Sequence, residues 1–451
     1  AYHALDERFA WRVGSVSLDT AHVEAEGLDG AQRLVCFNQM VPAHVLDAIS
    51  TTVDSQQAAM EETLKALVSL PTENPPGTTY LPCVELIEAL LAREDVPYER
   101  IDIPSPASAP RAAVRAWLQA APRRRGERGG SGAPFQPSGD EGPTLHFHGH
   151  YDVVPAASAS QFQPRAEGDT LFGRGSSDMK SGLVAMLHAA LAVRHARVPL
   201  RGRIELLFVP DEETGGEYGS GALVRMEQLA RGSIGMLLPE PTSGVVWNAN
   251  RGAITLDVTV NGRAAHVGLM RHGVNAVEQA LPLLNRLFAL KRDLDARQGS
   301  PLLIGGRVEA GDNFNLVPAS CRFTIDRRID PDEDFEVEKR RLFDVLDGAR
   351  AEGVDLAARV IQEARSASTP TDGPLARALA RSVEVVTGTP AVFEQCPGLL
   401  ETRFYAERGV PALAYGPGIL AVSHGPQEFV KISRMLECAK VYALTACDLL
   451  A

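Results

Sequence analysis

The segment from Leu145 to Val154 constrains the fold more than any other part of the chain. It reads Leu-His-Phe-His-Gly-His-Tyr-Asp-Val-Val, which is typical of a β-strand. Imidazole is a common metal ligand, and a nearby carboxylate can fix the orientation of its ring. The alternative is a strand whose histidines only form hydrogen bonds, and the carboxylates further along the chain argue against it. Side chains two apart share one face of a strand, so this face carries His146, His148, His150 and Asp152.

The chain beyond this strand alternates helical and apolar patterns, and each apolar run ends at acidic residues. Met179–Arg197 has helical periodicity, and the runs Ile204–Val209 and Met236–Leu238 suit buried strands. The first run ends in Pro-Asp-Glu-Glu and the second in Pro-Glu. This alternation predicts an α/β fold with a largely parallel central sheet flanked by helices. Ligands bind at the carboxyl ends of the strands in such sheets.

A chain of 451 residues exceeds one hydrophobic core, so we expect two domains. After about residue 244 the pattern changes to strict alternation, as in Ile254–Val260, followed by an Asn-Gly hairpin turn. Such one-sided strands predict a smaller α+β domain inserted in the first. The stretch 105–143, rich in Pro, Arg, Gly and Ser, is interpreted as a solvated surface loop. The predicted division is an N-terminal extension without an assigned role at 1–47, a catalytic metal-binding domain at 48–243 and 368–451, and the inserted domain at 244–367.

Charge, hydropathy and cysteine spacing argue against several classes of function. The net charge of −12 argues against a nucleic-acid partner, which needs a basic surface. No apolar run reaches the length of a membrane span, and the first residues lack the pattern of a secretory signal. The six cysteines form no Cys-x-x-Cys pair. We therefore expect a cytoplasmic protein with neither a nucleic-acid nor a membrane partner.

Acidic residues and histidines at the predicted turns form a candidate metal site. Two imidazoles and three carboxylates suit Zn²⁺ or a similar ion, and a carboxylate can bridge two ions about 3.5–4 Å apart. Glu212 and Glu213 are neighbours, and neighbours in an extended segment point in opposite directions, so one can bind metal while the other takes a proton from water. A solvated acidic turn is the alternative for this pair alone. The candidates are His150, Asp152, Asp178, Glu212, Glu213, Glu240 and His424.

One motif in this strand also fits a different fold. His148-x-His150-x-Asp152 resembles the His-x-His-x-Asp-His motif of metallo-β-lactamase-type hydrolases. The last position of that motif is Val153 here, and the strongest later candidates are carboxylates rather than histidines. We keep this resemblance as the alternative fold.

A set of segments that occur in order along the chain resembles another family more closely. They are similar to the motifs of the family that contains acetylornithine deacetylase, succinyl-diaminopimelate desuccinylase, aminoacylase and carboxypeptidase G2. The resemblance covers roughly residues 48–451. It implies a zinc-peptidase-like catalytic domain, an inserted dimerisation (lid) domain, a homodimer, and two Zn ions with Co or Mn as alternatives. The segments are Gly149–Pro155, Gly173–Lys180, Asp211–Gly215 and Glu240–Thr242.

The resemblance also implies roles for single residues. Glu212 would be the general base that activates water and then protonates the leaving amine. Asp152 would orient His150 without binding metal itself. The metal ligands would be Asp178 as the bridge, His150 and Glu240 on one side, and Glu213 and His424 on the other.

Further matches concern the inserted domain and the substrate. The segment ending at His266 resembles one whose histidine reaches the active site of the partner subunit and stabilises the oxyanion. Asn315–Pro318 and Asp326–Arg328 resemble segments that hold substrate, with Arg328 as a carboxylate clamp or, alternatively, in a surface ion pair. Gly398–Phe404 departs from the family, which tends to have small hydroxyl residues and an aspartate there. The substrate-binding candidates are Arg251, Asn315, Arg328 and Gly398.

The resemblance predicts an enzyme that cleaves the amide bond of an N-acyl amino acid with a metal-activated water. The products would be a carboxylate and a free amine. A dipeptidase or carboxypeptidase with the same dinuclear centre is the nearest alternative. A catalytically inactive relative that acts as a binding protein is the other, although every predicted ligand and the predicted base are present.

Overall fold

The computed structural model describes residues 41–106, 108–119, 142–230 and 232–451. Residues 1–40 of the predicted extension and residues 120–141 of the arginine-rich stretch lie outside the described residues. The α-helices are α1 (Ala43–Ser55), α2 (Gln57–Val68), α3 (Leu81–Arg93), α4 (Lys180–His195), α5 (Ser220–Arg225), α6 (Ala276–Ala296), α7 (Phe335–Ala351), α8 (Pro374–Thr387), α9 (Thr402–Ala406) and α10 (Ile432–Leu450). The strands are β1 (Tyr98–Ile103), β2 (Arg111–Gln119), β3 (Thr144–His150), β4 (Arg165–Glu167), β5 (Thr170–Phe172), β6 (Arg203–Val209), β7 (Ser233–Leu238), β8 (Val246–Asn250), β9 (Gly252–Asn261), β10 (Leu302–Ala310), β11 (Ser320–Ile329), β12 (Leu356–Ala364), β13 (Ala367–Ser368), β14 (Phe393–Cys396), β15 (Ala412–Ala414) and β16 (Phe429–Lys431).

A large mixed sheet forms the centre of the fold. Its strands run in the order β1-β2-β6-β3-β7-β15-β8-β13, and β14 also pairs with β8. The central strands β6, β3, β7 and β15 are parallel, whereas β1, β2, β8 and β13 pair antiparallel towards the edges. The predicted α/β fold is confirmed, and the parallel arrangement applies to the middle of the sheet.

Both faces of the large sheet are covered, because its central strands are apolar on each side. In β6, Leu206 and Phe208 belong to the core on the α4 side, and Leu207 and Val209 to the core on the opposite side. Helix α4 packs against α10, and α9 packs against β7 and β15. A Cβ atom on Gly182 would lie 2.3 Å from the Pro239 carbonyl oxygen, so glycine allows α4 to approach the turn after β7.

A small antiparallel sheet with its own core lies between Gly252 and Ala364. Its strand order is β10-β11-β9-β12, and α6 and α7 pack against each other beside it. The alternating residues of Ile254–Val260 are fully buried in this core, as their period of two predicts. Strands β8 and β13, on either side of this segment, belong to the large sheet, so the small sheet is inserted in the larger fold. The predicted boundaries at residues 244 and 367 stay predictions.

The residues Val45–Leu70, whose sequence has a helical pattern, form the two helices α1 and α2, because Gln56 between them has φ −92° and ψ 1°. One local prediction is wrong. The stretch 105–143 is predicted as a loop, but its residues 111–119 form β2. The overall composition of that stretch hides the apolar run Ala112–Leu118, which pairs with β1 and β6. In the described ranges, no helix combines the length and the apolar character needed to cross a membrane.

The small sheet yields a test based on pH. The Asp257 carboxylate accepts hydrogen bonds from Arg322 (2.7 Å) and Arg359 (3.0 Å). Arg322, and to a smaller extent Arg359, hold the pKa of Asp257 well below its usual range, against the effect of burial. A lowered folded-state pKa gives stability that is present above the unfolded pKa of about 3.9 and is lost as the pH falls below it. We expect Asp257→Asn to lower the free energy of unfolding by about 1 kcal/mol at pH 7, since the arginines are partly exposed.

Thermal melting of the wild type and Asp257→Asn between pH 7 and pH 3 measures this effect. The difference between the melting temperatures should shrink below about pH 4. Asp347→Asn is the control, because Asp347 forms an exposed ion pair with Arg350 on α7. A difference of the same size at pH 3 and pH 7 would contradict the assigned cause.

Candidate metal centre

The candidate residues meet where the central parallel strands end. His150 is the last residue of β3, Glu212 and Glu213 follow β6, and Glu240 follows β7. These strands are parallel neighbours, so their carboxyl ends lie at one edge of the sheet. Asp178 lies just before α4. His424 comes from the loop before β16, far along the chain.

A first group of ligand atoms is buried. His150 Nε2 lies 3.4 Å from Asp178 Oδ1 and 3.8 Å from Glu240 Oε1. Among the described residues these three atoms have no hydrogen-bond partner. Burying such polar atoms without a partner costs free energy, and a bound cation would remove that cost. These residues therefore fit a metal ion.

A second group shares Asp178 with the first. His424 Nε2 lies 3.2 Å from Asp178 Oδ2 and 3.4 Å from Glu213 Oε2. In each group the potential ligand atoms lie within 4.8 Å of one another. Each oxygen of Asp178 faces a different histidine, which is the arrangement a bridging carboxylate needs. The His424 side chain is about half exposed, so this group is open to solvent on one side.

Asp152 links the first group to the turn that carries Glu212 and Glu213. His150 Nδ1 donates to the Asp152 backbone carbonyl at 3.0 Å and lies 3.5 Å from its carboxylate, which leaves Nε2 free to bind metal. The Asp152 carboxylate accepts the backbone N–H groups of Glu212 and Glu213, each at 3.2 Å. The Asn74 side chain donates to the same carboxylate at 3.0 Å. One buried carboxylate thus orders two parts of the site.

The acidic turn differs from the extended segment expected from the sequence. Glu212–Thr214 is a short 3₁₀ turn, preceded by Asp211 at φ +74°. Its two glutamates still diverge, because Glu213 faces His424 while Glu212 Oε2 lies 3.9 Å from His150 Nε2. The two glutamates point in different directions, as the sequence predicts, but they do so in a 3₁₀ turn and not in an extended segment.

The electrostatics of the site favour a positive charge at its centre. The pKa of Glu212 is raised to about 8, mainly by burial and also by the nearby carboxylate of Glu213. Burial also raises the pKa of Glu240, and Asp178 adds to that effect. Hydrogen bonds to Asp178 and Glu213 raise the pKa of His424 to about 10. The carboxylates therefore attract protons or cations.

The predicted substrate contacts form other interactions. Arg251 Nε donates to Asp330 at 2.7 Å, and Arg328 Nε donates to Asp326 at 2.7 Å, the ion-pair alternative raised from the sequence. His266 is exposed, and the backbone carbonyl of Asn315 accepts the N–H of its neighbour Val267 at 2.9 Å.

Gly398 is the one substrate candidate with a link to the metal centre. Its N–H donates to Cys396 Sγ at 3.4 Å. Burial raises the pKa of the Cys396 thiol to about 12, and the carboxylates of Glu240 and Glu212 also raise it. The charges of Glu240 and Glu212 therefore act on the Cys396 thiol, to which Gly398 is hydrogen-bonded.

Some supporting residues were not found from the sequence. Asn74 donates to Asp152, Asp211 and Thr214, although it reads as an ordinary loop residue before prolines. Arg403 is buried and donates to the Gly215 carbonyl at 2.8 Å, which holds the end of the acidic turn. The departure of Gly398–Phe404 from the family pattern was the signal available in the sequence for Arg403.

His148 does not join the candidate ligands. Its Nε2 lies 2.7 Å from Glu401, and its Nδ1 lies 3.1 Å from the Tyr405 hydroxyl. All three side chains are fully buried. The metallo-β-lactamase-type alternative is therefore wrong, because it requires His148 among the ligands.

Known proteins resemble this chain in sequence. Residues 146–448 match the model of peptidase family M20/M25/M40. A succinyl-diaminopimelate desuccinylase from Thioalkalivibrio sulfidiphilus is 30% identical over 319 residues, which cover 67% of this chain and 83% of that protein. An acetylornithine deacetylase from Myxococcus xanthus is 27% identical over 325 residues, which cover 68% and 80% of the two chains.

Solved structures show the same fold. A dipeptidase from Saccharomyces cerevisiae superposes with a TM-score of 0.70 at 14% identity, covering 90% of this chain and 99% of that chain. The match of the family model spans more than half of the sequence. The chain belongs to peptidase family M20/M25/M40.

Proposed function

We propose that the protein is a metal-dependent amidohydrolase that cleaves the amide bond of an N-acyl amino acid. The observation that carries this proposal is the Asp178 carboxylate, whose two oxygens face His150 and His424 at 3.4 and 3.2 Å. Glu212 stands beside this bridge without belonging to either ligand group. A bridging carboxylate next to a glutamate outside the ligand groups is an arrangement that can hydrolyse an amide with a metal-activated water.

We propose two Zn ions as the metals, with Co or Mn as alternatives. The donor set of two imidazoles and three carboxylates suits these ions. His150, Asp178 and Glu240 would hold one ion, and Asp178, Glu213 and His424 the other. When bound, the ions would polarise the scissile carbonyl and lower the pKa of water.

Glu212 has the properties of a general base in this scheme. Its pKa is raised to about 8, mainly by burial, in the protein without bound cations, and cations nearby would lower that pKa. A carboxylate in that range can take a proton from water and return it to the leaving amine. Asp152 would fix Glu212 through its backbone N–H.

The substrate class rests on the relatives rather than on the pocket. The relatives that cover two thirds of the chain are a desuccinylase and a deacetylase, which supports an N-acyl amino acid as substrate. Arg251, Asn315, Arg328 and Gly398 are proposed as substrate contacts. Arg328 would exchange its ion pair with Asp326 for a substrate carboxylate.

Amine release tests the proposal directly. The zinc-loaded full chain is incubated with N-acetyl, N-succinyl and other N-acyl amino acids and with a set of dipeptides. Preference for acyl amino acids would support the deacylase function and identify the acyl group. Preference for dipeptides would assign the protein to the peptidase alternative, and no release from any substrate would favour a binding protein.

We also propose a homodimer in which His266 reaches the active site of the partner subunit. The loop that carries His266 exposes apolar side chains, with Val267, Leu269 and Met270 each more than half exposed. Exposed apolar clusters are typical of contact surfaces. A cytoplasmic location is proposed as well, supported by the free, buried state of the described cysteines.

We expect Glu212→Gln to lower kcat by about 100- to 10,000-fold, because the amide cannot take the proton. Metal binding should persist, since Glu212 belongs to neither ligand group. Steady-state kinetics and metal analysis of the purified variant measure both effects. Glu217→Gln is the control, because Glu217 is an exposed glutamate on the same loop. Full activity of Glu212→Gln would remove Glu212 as the base.

We expect His266→Ala to lower kcat by about 100- to 1000-fold without release of metal, as the loss of an oxyanion donor does. His272→Ala is the matched control, because His272 is another exposed histidine of the same loop. Turnover and metal content are measured side by side for both variants. Unchanged turnover in His266→Ala would reject the oxyanion role and the need for a partner subunit.

A further inference from the structure

We propose that Glu428, acting with Arg174, is a positioning residue that holds Asp178 and His424 together as ligands of one metal ion. This inference rests on the two-ion function proposed above. Neither Glu428 nor Arg174 belongs to a candidate ligand group. Their effect would reach the metal through the backbone of the segments that they hold.

One oxygen of Glu428 binds the segment that carries Asp178. Glu428 Oε1 accepts the backbone N–H groups of Gly175 (3.0 Å), Ser177 (2.9 Å) and Asp178 (3.0 Å). The side chain is fully buried, so water does not compete for these hydrogen bonds. Three donors that converge on one carboxylate oxygen fix the backbone from which the Asp178 side chain extends.

The other oxygen of Glu428 reaches His424 through an arginine. Oε2 accepts a hydrogen bond from Arg174 Nη1, and Arg174 Nη2 donates to the His424 carbonyl at 3.1 Å. The same Nη2 lies 3.4 Å from the Pro155 carbonyl. The Arg174 side chain is 2% exposed. Its planar fork carries donors on separate nitrogens at fixed angles, so it can bind a carboxylate and a carbonyl in one defined geometry, which the flexible point charge of a lysine does not impose.

His424 needs such a support more than the other candidate ligands do. It has φ +64°, in the left-handed region that a residue with a side chain adopts at a cost. Its side chain is half exposed and therefore has little packing to orient it. A backbone held by Arg174 keeps the imidazole directed at Asp178 and Glu213. Loss of that support should weaken the second metal group and spare the first.

General stability does not account for the placement of this ion pair. Buried ion pairs contribute little stability compared with apolar side chains of similar size. Glu428 and Arg174 bind two segments about 250 positions apart in sequence, and each segment carries a candidate ligand. Arg327 and Glu338 form a comparable buried pair at 2.8 Å in the inserted sheet region, away from every candidate ligand. That pair offers a matched control.

The test is a titration of the metal-stripped full chain with Zn²⁺, followed by calorimetry, and with Co²⁺, followed by its visible absorption. The wild type should bind two ions. Glu428→Gln should keep the first ion and bind the second about 10- to 100-fold more weakly, with an altered Co²⁺ spectrum. The reason is that the amide oxygen can still accept the backbone N–H groups, whereas the amide NH₂ would face Arg174. Glu338→Gln should lower the melting temperature and leave both metal affinities unchanged.

Arg174→Lys is measured in parallel, so that a folding defect in Glu428→Gln cannot decide the result. The lysine keeps a positive charge near Glu428 but loses the fork, and the same selective loss of the second ion is expected. Wild-type affinities in both variants, or equal weakening of both ions, would overturn the positioning role. A wild type that binds fewer than two ions would instead reject the two-ion function itself.

Discussion

Mutual repulsion among buried carboxylates is the constraint on which this structure depends. Asp178 and Glu240 are buried, and burial together with neighbouring carboxylates raises the pKa of Glu212, Glu213 and Glu240. Such a cluster is unfavourable unless positive charge is supplied. Asp178 and Glu213 also raise the pKa of His424 to about 10, because these carboxylates favour the positively charged imidazolium. Divalent cations at the two ligand groups would supply the positive charge instead.

Two further carboxylates hold the loops that carry the candidate ligands, because they accept backbone N–H groups of those loops. Asp152 accepts the N–H groups of Glu212 and Glu213, and Glu428 accepts those of Gly175, Ser177 and Asp178. The parallel strands bring the loops to one edge of the sheet, but they do not determine how each side chain points. These hydrogen bonds help to orient the ligand side chains, because each ties the backbone of a ligand-bearing loop to a buried carboxylate.

The approach of Glu212, Glu213 and Glu240 to His150 could be predicted from the sequence, because apolar runs that end in acidic turns are local signals. The strand β2 could not, since it depends on pairing with the distant strand β6. The break at Gln56 could not either, since no glycine or proline marks it in the sequence. The role of Asn74 was also hidden, because its partner Asp152 lies 78 residues away. Hydrogen bonds across such separations exist only once the chain has folded.

Anomalous X-ray diffraction at the zinc edge, from crystals of the full chain grown with Zn²⁺, tests the two-ion centre most directly. We expect two peaks about 3.5–4 Å apart. One peak should contact His150, Asp178 and Glu240, and the other Asp178, Glu213 and His424. A single peak, or peaks that do not share the Asp178 carboxylate, would contradict the two-ion centre.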